Sequence, residues 1–437
     1  MEGLGINLVP LLVSTAAFAV VFLLAYRRYI FSIFDPLNVF LVANVFASVL
    51  MVNIVEDPKW WYQFFLFQAA FYFGFTRNKV TPSEADDAAH GGKPWFRFSA
   101  SQVTVLEMAT GLLFFISVAA NLYMGATAGF PIFSDVPTQA KISLFIGGLG
   151  FVKRINGGLG VFIPCAALVL YAFSRHKRWW LFVVLTEAVI LSLGGSKSAI
   201  LSFVFMIAYL AHHQAFRNDA TTRKLQNLLK VIFAFAVLWA LIILYIESGT
   251  VVGAVAGLLF RAVMYADIII WYYNPVVMPH FAGLGILDYI LTDLNPILGM
   301  FRIVPYQDPL GYTMIELAIG SRVLPTLVGP NVPFYVRSQI YFGLVGGCFY
   351  SLLVGYAVSF VRKLFFCSRN VSIIRFACLL TGGVLVFALP IDSSYFVSLC
   401  FDTFMPVSIV LAISYLVVSA TRSEVYKPAA GALRARS

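Results

Sequence analysis

Eleven apolar runs punctuate the chain, at residues 8–26, 37–55, 60–76, 102–121, 157–173, 179–194, 199–213, 229–246, 338–360, 372–391 and 401–419. A helix needs about 20 apolar residues to cross roughly 30 Å of hydrocarbon, so each run predicts a transmembrane helix. The runs are continuous and do not alternate polar with apolar positions, which argues against a membrane β-barrel. A further stretch, 250–273, is apolar but carries Arg261 and Asp267 in its middle. The first run follows Met1-Glu2-Gly3 without a basic lead and predicts a retained helix, not a cleaved signal peptide.

Composition supports the same class. Hydrophobic residues make up 60% of the chain, charged residues 11%, and the mean hydropathy is +0.87. An average soluble chain carries roughly 25% charged residues, so this one cannot cover a water-facing surface. The expectation is an all-α, polytopic transmembrane helical bundle. The five cysteines are scattered without a Cys-x-x-Cys pair, and the five histidines lack metal-ligand spacing. A net charge of +10 would suggest nucleic acid in a soluble protein. In a membrane protein the placement of the charge matters more than its sum, and no nucleic-acid partner is expected.

Basic residues orient the spans. Arg422, Lys427, Arg434 and Arg436 place the C-terminus in the cytoplasm, and loops 27–28, 77–97, 175–178, 217–230 and 362–375 follow it there. This arrangement puts 21 of the 30 Lys and Arg inside and the N-terminus outside. If 250–273 were a full span, every basic loop before it would face outward. The segment is therefore expected to lie against the outer face or dip into it. The expected organisation is one transmembrane domain, 1–437, of about 11 to 12 helices, with a large outer region at 247–337. Nine cations remain on the outer side: Lys59, Lys141, Lys153, Arg154, Lys197, Arg261, Arg302, Arg322 and Arg337. They oppose the orientation rule and so invite a functional reading.

Four of these cations, in three segments, sit in glycine-rich settings. Two Gly-Gly-Leu-Gly copies, Gly147–Gly150 and Gly157–Gly160, bracket Lys153-Arg154. Converging backbone N–H groups with a basic pair suit an anion, and a flexible loop whose cations meet lipid headgroups is an equal alternative. Lys197 lies in the turn Gly194-Gly195-Ser196-Lys197-Ser198. Gly249, Gly253 and Gly257 recur every four residues and Arg261 continues the register, giving one narrow helical face. Such a face admits a neighbouring helix, the commoner reason for it, or a polyprenyl chain or sugar with Arg261 gripping a phosphate. Tyr265, one turn on, is placed to stack on a sugar.

The outer region between Asn274 and Arg337 is too long for a connector. It carries His280, Asp288, Asp293, Arg302, Tyr306, Gln307, Asp308, Glu316, Arg322 and Asn331 among eight prolines. Short helices capping the outer face are expected there. The collection suits acid–base chemistry on an anionic, sugar-bearing substrate, although any single member is more commonly structural. Glu187 is an isolated charge within a span, and Asp392 and Asp402 lie near the outer ends of the last two spans.

From about residue 150 to 360 the order of features resembles the Wzy-type oligosaccharide repeat-unit polymerases, the O-antigen and exopolysaccharide polymerases of bacterial inner membranes. The matching residues are Lys153-Arg154, Gly195-Ser196-Lys197, Leu259-Phe260-Arg261-Ala262, the large outer loop, and Asn331–Tyr356 (NVPFYVRSQIYFGLVGGCFYSLLVGY). The resemblance implies a GT-C-like fold in the inner membrane with a large periplasmic loop. It also implies transfer of a growing glycan from one undecaprenyl diphosphate to another lipid-linked oligosaccharide at the periplasmic face. Outer arginines that contact lipid diphosphates are implied at Arg261, Arg302 and Arg322; Lys153, Arg154, Lys197 and Arg337 join them as candidate diphosphate ligands. Asp308, Glu316 and His280 are the candidate bases, Tyr265 and Tyr306 the sugar-stacking rings. No metal or cofactor is expected, because arginines can neutralise the leaving group. Membrane lipid and a chain-length regulator are the further expected partners. An O-antigen ligase and a lipid-linked oligosaccharide flippase are the rival readings.

Overall fold

The computed structural model describes residues 8–78, 80, 96, 98–144, 148–196, 199–213, 220–263, 266–321 and 329–425. In chain order the helices are α1 (Leu8–Tyr26), α2 (Pro36–Ile54), α3 (Pro58–Thr76), α4 (Ala100–Ala128), α5 (Pro137–Leu144), α6 (Gly150–Phe173), α7 (Lys177–Leu193), α8 (Ala199–His212) and α9 (Ala220–Ser248). They continue as α10 (Val251–Val263), α11 (Ile268–Tyr272), α12 (Ile286–Leu298), α13 (Leu310–Ile319), α14 (Phe334–Arg337), α15 (Gly343–Cys367), α16 (Ile373–Leu385) and α17 (Ser393–Val425). Among the described residues no strand forms, only an isolated bridge between Phe96 and Val371.

Seven helical stretches are long and apolar enough to cross a membrane: Val9–Tyr26, Pro36–Ile54, Ala100–Phe133, Gly150–Phe173, Leu229–Ser248, Phe334–Cys367 and Ser393–Thr421. The chain is an all-α polytopic bundle. The other four expected runs also fall on helices, namely α3, α7, α8 and α16, which are shorter or less apolar. Their shared interior is one aromatic-rich core that includes Phe64, Phe67, Phe71, Phe162, Phe365 and Phe376. Outward positions are apolar too: Val9, Leu12, Val20, Leu23 and Leu24 of α1 are all exposed, which is the surface a helix presents to hydrocarbon.

Helix starts follow their sequence signals. Asp35 and Asp57 cap α2 and α3 by accepting from Leu37 N and Lys59 N, each followed by proline at the first helical position. Ser99 and Gln102 form a capping box on α4. Close helix contacts rest on glycine. A Cβ on Gly74 would stand 2.0 Å from Leu352 O, and one on Gly355 would stand 2.1 Å from Phe71 O, so α3 and α15 touch backbone to backbone.

Segment 250–273 does not form one helix. Gly249 takes a φ of 70° and turns the chain, so that α10 folds back against α9 with Gly257 facing Leu244. The glycine face expected at 249, 253 and 257 is thus helical only at the last two positions, and at Gly257 it meets the chain's own preceding helix. The 13 residues of α10 span about 20 Å, short of a bilayer core of roughly 30 Å.

Two basic features depart from their expected settings. The flexible loop that is one alternative for Lys153-Arg154 does not form: helix α6 begins at Gly150 and runs through both of them and through the second Gly-Gly-Leu-Gly. Gly158 and Gly160 there meet close neighbours, Asp402 O and the Leu191 side chain, while Gly157 faces open space. Arg362, expected at the start of a solvated cytoplasmic loop, lies inside α15 with a relative exposure of 0%.

Candidate functional site

The site is built where α6, α12 and α17 meet. Within α17, Pro406 has no N–H and leaves the carbonyl of Asp402, four residues earlier, without its helical donor. Gly158 of α6 lies against that freed backbone: a Cβ there would stand 2.3 Å from Asp402 O. Thr403 Oγ1 donates across the seam to Gly158 O at 3.2 Å. Arg154 is one helical turn before Gly158 and on the same face, so the close approach delivers its guanidinium to the Asp402 side chain.

Arg154 Nε and Nη2 donate to the two carboxylate oxygens of Asp402, both at 3.0 Å. Nη2 also donates to Ser398 Oγ at 2.9 Å, and Nη1 donates to the carbonyl of Pro296 at the end of α12. This is the two-pronged geometry that carboxylates and phosphates share. The Arg154 side chain keeps 16% of its surface accessible. Above it, the buried Asn295 clamps the following loop: Nδ2 donates to Pro305 O at 2.9 Å, and Oδ1 accepts from Gln307 N at 2.9 Å. The clamp holds Tyr306 within electrostatic reach of both Arg154 and Asp308. Desolvation and then the Asp308 carboxylate push the Tyr306 phenol above its ordinary value, and Arg154 pulls it the other way.

A second arginine braces the same end of the bundle. Arg337 is 1% exposed and its fork is engaged on every nitrogen: Nε to Val332 O at 3.0 Å, Nη1 to Asp293, and Nη2 to Asp392 at 2.8 Å and Ser394 at 2.9 Å. Helix α12 thus serves both arginines, through Asp293 and through Pro296. Its polar side faces inward while Ile286, Leu287, Ile290 and Leu291 point out.

The other expected site residues distribute as follows. Tyr306 stands exposed within electrostatic reach of Arg154, and Asp308 and Arg302 are exposed on the same loop, Arg302 with a φ of 57° in the left-handed region. For a residue with a Cβ that conformation costs roughly 1–2 kcal/mol. Lys153 points to the carbonyl of Lys141 on α5. Glu316 is half-buried on α13, and His280 is exposed in a short turn at Met278–Phe281, next to the Phe281 ring. Lys197, Arg322 and Tyr265 lie outside the described residues, and of Arg261 only the backbone, in α10, is described. The geometry therefore brings Arg154 and Tyr306 together, with Asp308 within electrostatic reach of Tyr306. Arg337 is set apart by its burial, 1% against 16% for Arg154, and His280 by its position. Asp402, Ser398 and Asn295 complete the cluster. Of these, the sequence pointed only to Asp402, through its place near a span end.

Asp267, outside the seven spans, is 7% exposed just ahead of α11, and burial raises its carboxyl to about 7 against weaker backbone hydrogen bonds that lower it. Between the ordinary aspartate value and about 7 the folded chain holds a proton that the unfolded chain has lost. Stability therefore falls as pH rises through that window and is flat above it. Asp267→Asn should remove this slope. At pH 8 the variant should unfold at higher temperature than the parent, by at most about 4 kcal/mol in free energy, with no gain at pH 4. Thermal unfolding at both pH values checks this.

No family model, characterised protein or solved structure matches the chain.

Proposed function

We propose that the chain polymerises undecaprenyl-diphosphate-linked oligosaccharide repeat units at the periplasmic face of a bacterial inner membrane. The observation that carries this reading is the cluster in which a partly accessible Arg154, its fork held by Asp402, lies within electrostatic reach of Tyr306, which in turn senses Asp308, beside the Asn295 clamp. It lies at the end of the bundle where the orientation rule leaves its exceptional cations. In the proposed step an acceptor hydroxyl oxygen attacks the anomeric carbon of the donor glycan. The bond from that carbon to the lipid diphosphate breaks, and the diphosphate leaves as an anion held by Arg154 and Lys153. The hydroxyl proton passes to the Asp308 carboxylate, and Tyr306 stacks on the sugar. Arg261, Lys197, Arg302 and Arg322 supply further positive charge to the two diphosphates. Glu316 and His280 stand as alternative bases.

The test is polymer assembly from lipid-linked repeats in membranes carrying Arg154 variants at parental protein level. Arg154→Ala combined with Asp402→Asn, which avoids a stranded carboxylate, should slow assembly by about 10²–10³, the usual cost of losing an oxyanion-stabilising group. Arg154→Lys keeps the charge without the fork and should fall between. Full-length polymer at the parental rate from the double variant would sink the proposal. In a deletion strain, single-repeat chains support the polymerase, and unligated lipid-linked polymer supports the ligase.

A further inference from the structure

Helix α12 has its polar residues turned in and its apolar ones turned out. Tyr289 donates to Tyr350, Thr292 accepts from Tyr341, Asp293 accepts from Arg337, and the buried Asn295 clamps the loop beyond. Ile286, Leu287, Ile290, Leu291 and Leu294 instead form one arc of the helix, exposed by 36 to 72%. The exposed charge of α12, Asp288, lies beyond the edge of that arc and accepts from Gly285 N at 2.8 Å in the first turn. The loop that follows adds Phe301 and Ile303, both more than half exposed. A cap facing water would show the opposite pattern, and an apolar surface this continuous marks an interface.

The ties of α12 fix its depth. Ser394, the second residue of α17, donates to Asp293 Oδ1 at 2.8 Å. Further along α12 the Pro296 carbonyl receives Arg154, whose remaining nitrogens hold Ser398 and Asp402 of α17. The Phe301 ring then stands edge-on to Phe401 at 6.0 Å. Residues 293–301 therefore run beside 394–402, which cover about 12 Å of helix. The spanning stretch Ser393–Thr421 has 29 residues, about 43 Å of helix against a hydrocarbon core of roughly 30 Å. Centred on the core, it leaves about 7 Å outside at each end, so 394–402 passes from headgroups into acyl chains. In-plane amphipathic helices lie at that boundary, with their apolar face about 5–10 Å deep.

The chemistry of the face selects what covers it. The arc is aliphatic throughout, so a charged peptide or a headgroup finds no partner on it. A stable protein interface draws on about 20–30 residues a side, more than this arc and its loop present. Acyl chains need no more than an apolar surface at the right depth. We infer that the 286–294 face of α12 is seated in the adjacent leaflet, as an in-plane helix against lipid acyl chains, and thereby holds the Arg154 cluster at headgroup level. This seating needs a bilayer around the spans and is independent of what the Arg154 cluster transfers.

Photolabelling of the full chain in phosphatidylcholine nanodiscs tests it. One probe is a phosphatidylcholine with a diazirine in the upper half of an acyl chain, and the other is hydroxyl radical generated in the water. Peptide mass spectrometry locates the adducts. Leu287 and Leu291 should carry lipid adducts at a yield comparable to Leu416, an exposed residue within the α17 span, and hydroxyl radical should spare them. Leu287→Asp with Leu291→Asp should cut the lipid adducts on 286–294 about tenfold, because carboxylates avoid hydrocarbon, and leave those on Leu416 unchanged. Monodisperse elution and parental thermal unfolding establish that the variant is folded; if it is not, the parental map alone decides. Hydroxyl-radical adducts on Leu287 and Leu291 that equal or exceed the lipid adducts overturn the seating, because the face then meets water. Protection from both probes overturns it too, and a nanodisc holding two chains would then identify a second copy as the cover. Lipid adducts that the folded double variant leaves unchanged overturn it as well, since labelling would then not depend on the apolar face.

Discussion

Replacing Arg337 by leucine is expected to produce the largest loss of stability of any single change in the chain. The substitution strands the buried Asp293 and takes the cation from Asp392, whose side chain is 16% exposed. Breaking one partner out of a buried ion pair costs about 3–5 kcal/mol, because the remaining charge keeps its desolvation penalty and loses its compensation. Here two carboxylates share the loss, and the carbonyl of Val332 and the hydroxyl of Ser394 lose a donor as well. Thermal unfolding of the purified protein should show an early transition or no folded material. Arg337→Leu with Asp293→Asn and Asp392→Asn removes the stranded charges and should recover much of the loss. If Arg337→Leu instead unfolds like the parent but makes no polymer, Arg337 belongs among the diphosphate ligands and not in the frame.

Arg362→Met should be nearly as damaging at the opposite end. Arg362 donates from Nη1 and Nη2 to the two oxygens of Asp35, at 2.8 and 3.0 Å, and also reaches Tyr209 and the carbonyl of Tyr29. Five rings surround the guanidinium, with Phe31 at 5.3 Å and Phe387 at 5.6 Å the nearest. The same aspartate caps α2, so the loss spreads to that helix start. A destabilisation of about 3–5 kcal/mol is expected. Methionine fills much of the volume, so Asp35→Asn with Arg362→Met should unfold later than Arg362→Met alone. Equal unfolding of the single and double variants would show that packing of the aromatic cage, not charge, sets the cost.

The spans were legible because hydrocarbon imposes its demand locally: twenty or so adjacent side chains must be apolar whatever their neighbours do. Capping residues were legible for the same reason, Asp35, Asp57 and Ser99 each acting within their own first turn. Arg362 was misplaced because its partner Asp35 stands 327 positions away, and a rule that treats each arginine as solvated has no access to such a pair. Lys153-Arg154 drew attention for its sign, but its glycine flanks suggested a loop. Gly158 is required by the backbone of α17, a tertiary demand that a local pattern cannot express. The Asn295 clamp had no local signature at all. Asn295-Pro296 looks like any polar step in a proline-rich region until the carbonyl of Pro305 and the amide of Gln307 arrive beside it.

The two buried arginines bracket the helical stretch Phe334–Cys367, 34 residues long. Arg337 ties its start to α12 and α17, and Arg362 ties its far end to α2 and α8. A slide of this strut by one helical turn, about 5.4 Å, would break both ties at once. An alternating-access cycle would need the strut, or the helices keyed to it, to change partners in every turnover. A bundle pinned at both faces instead holds its outer cluster at constant depth and spacing.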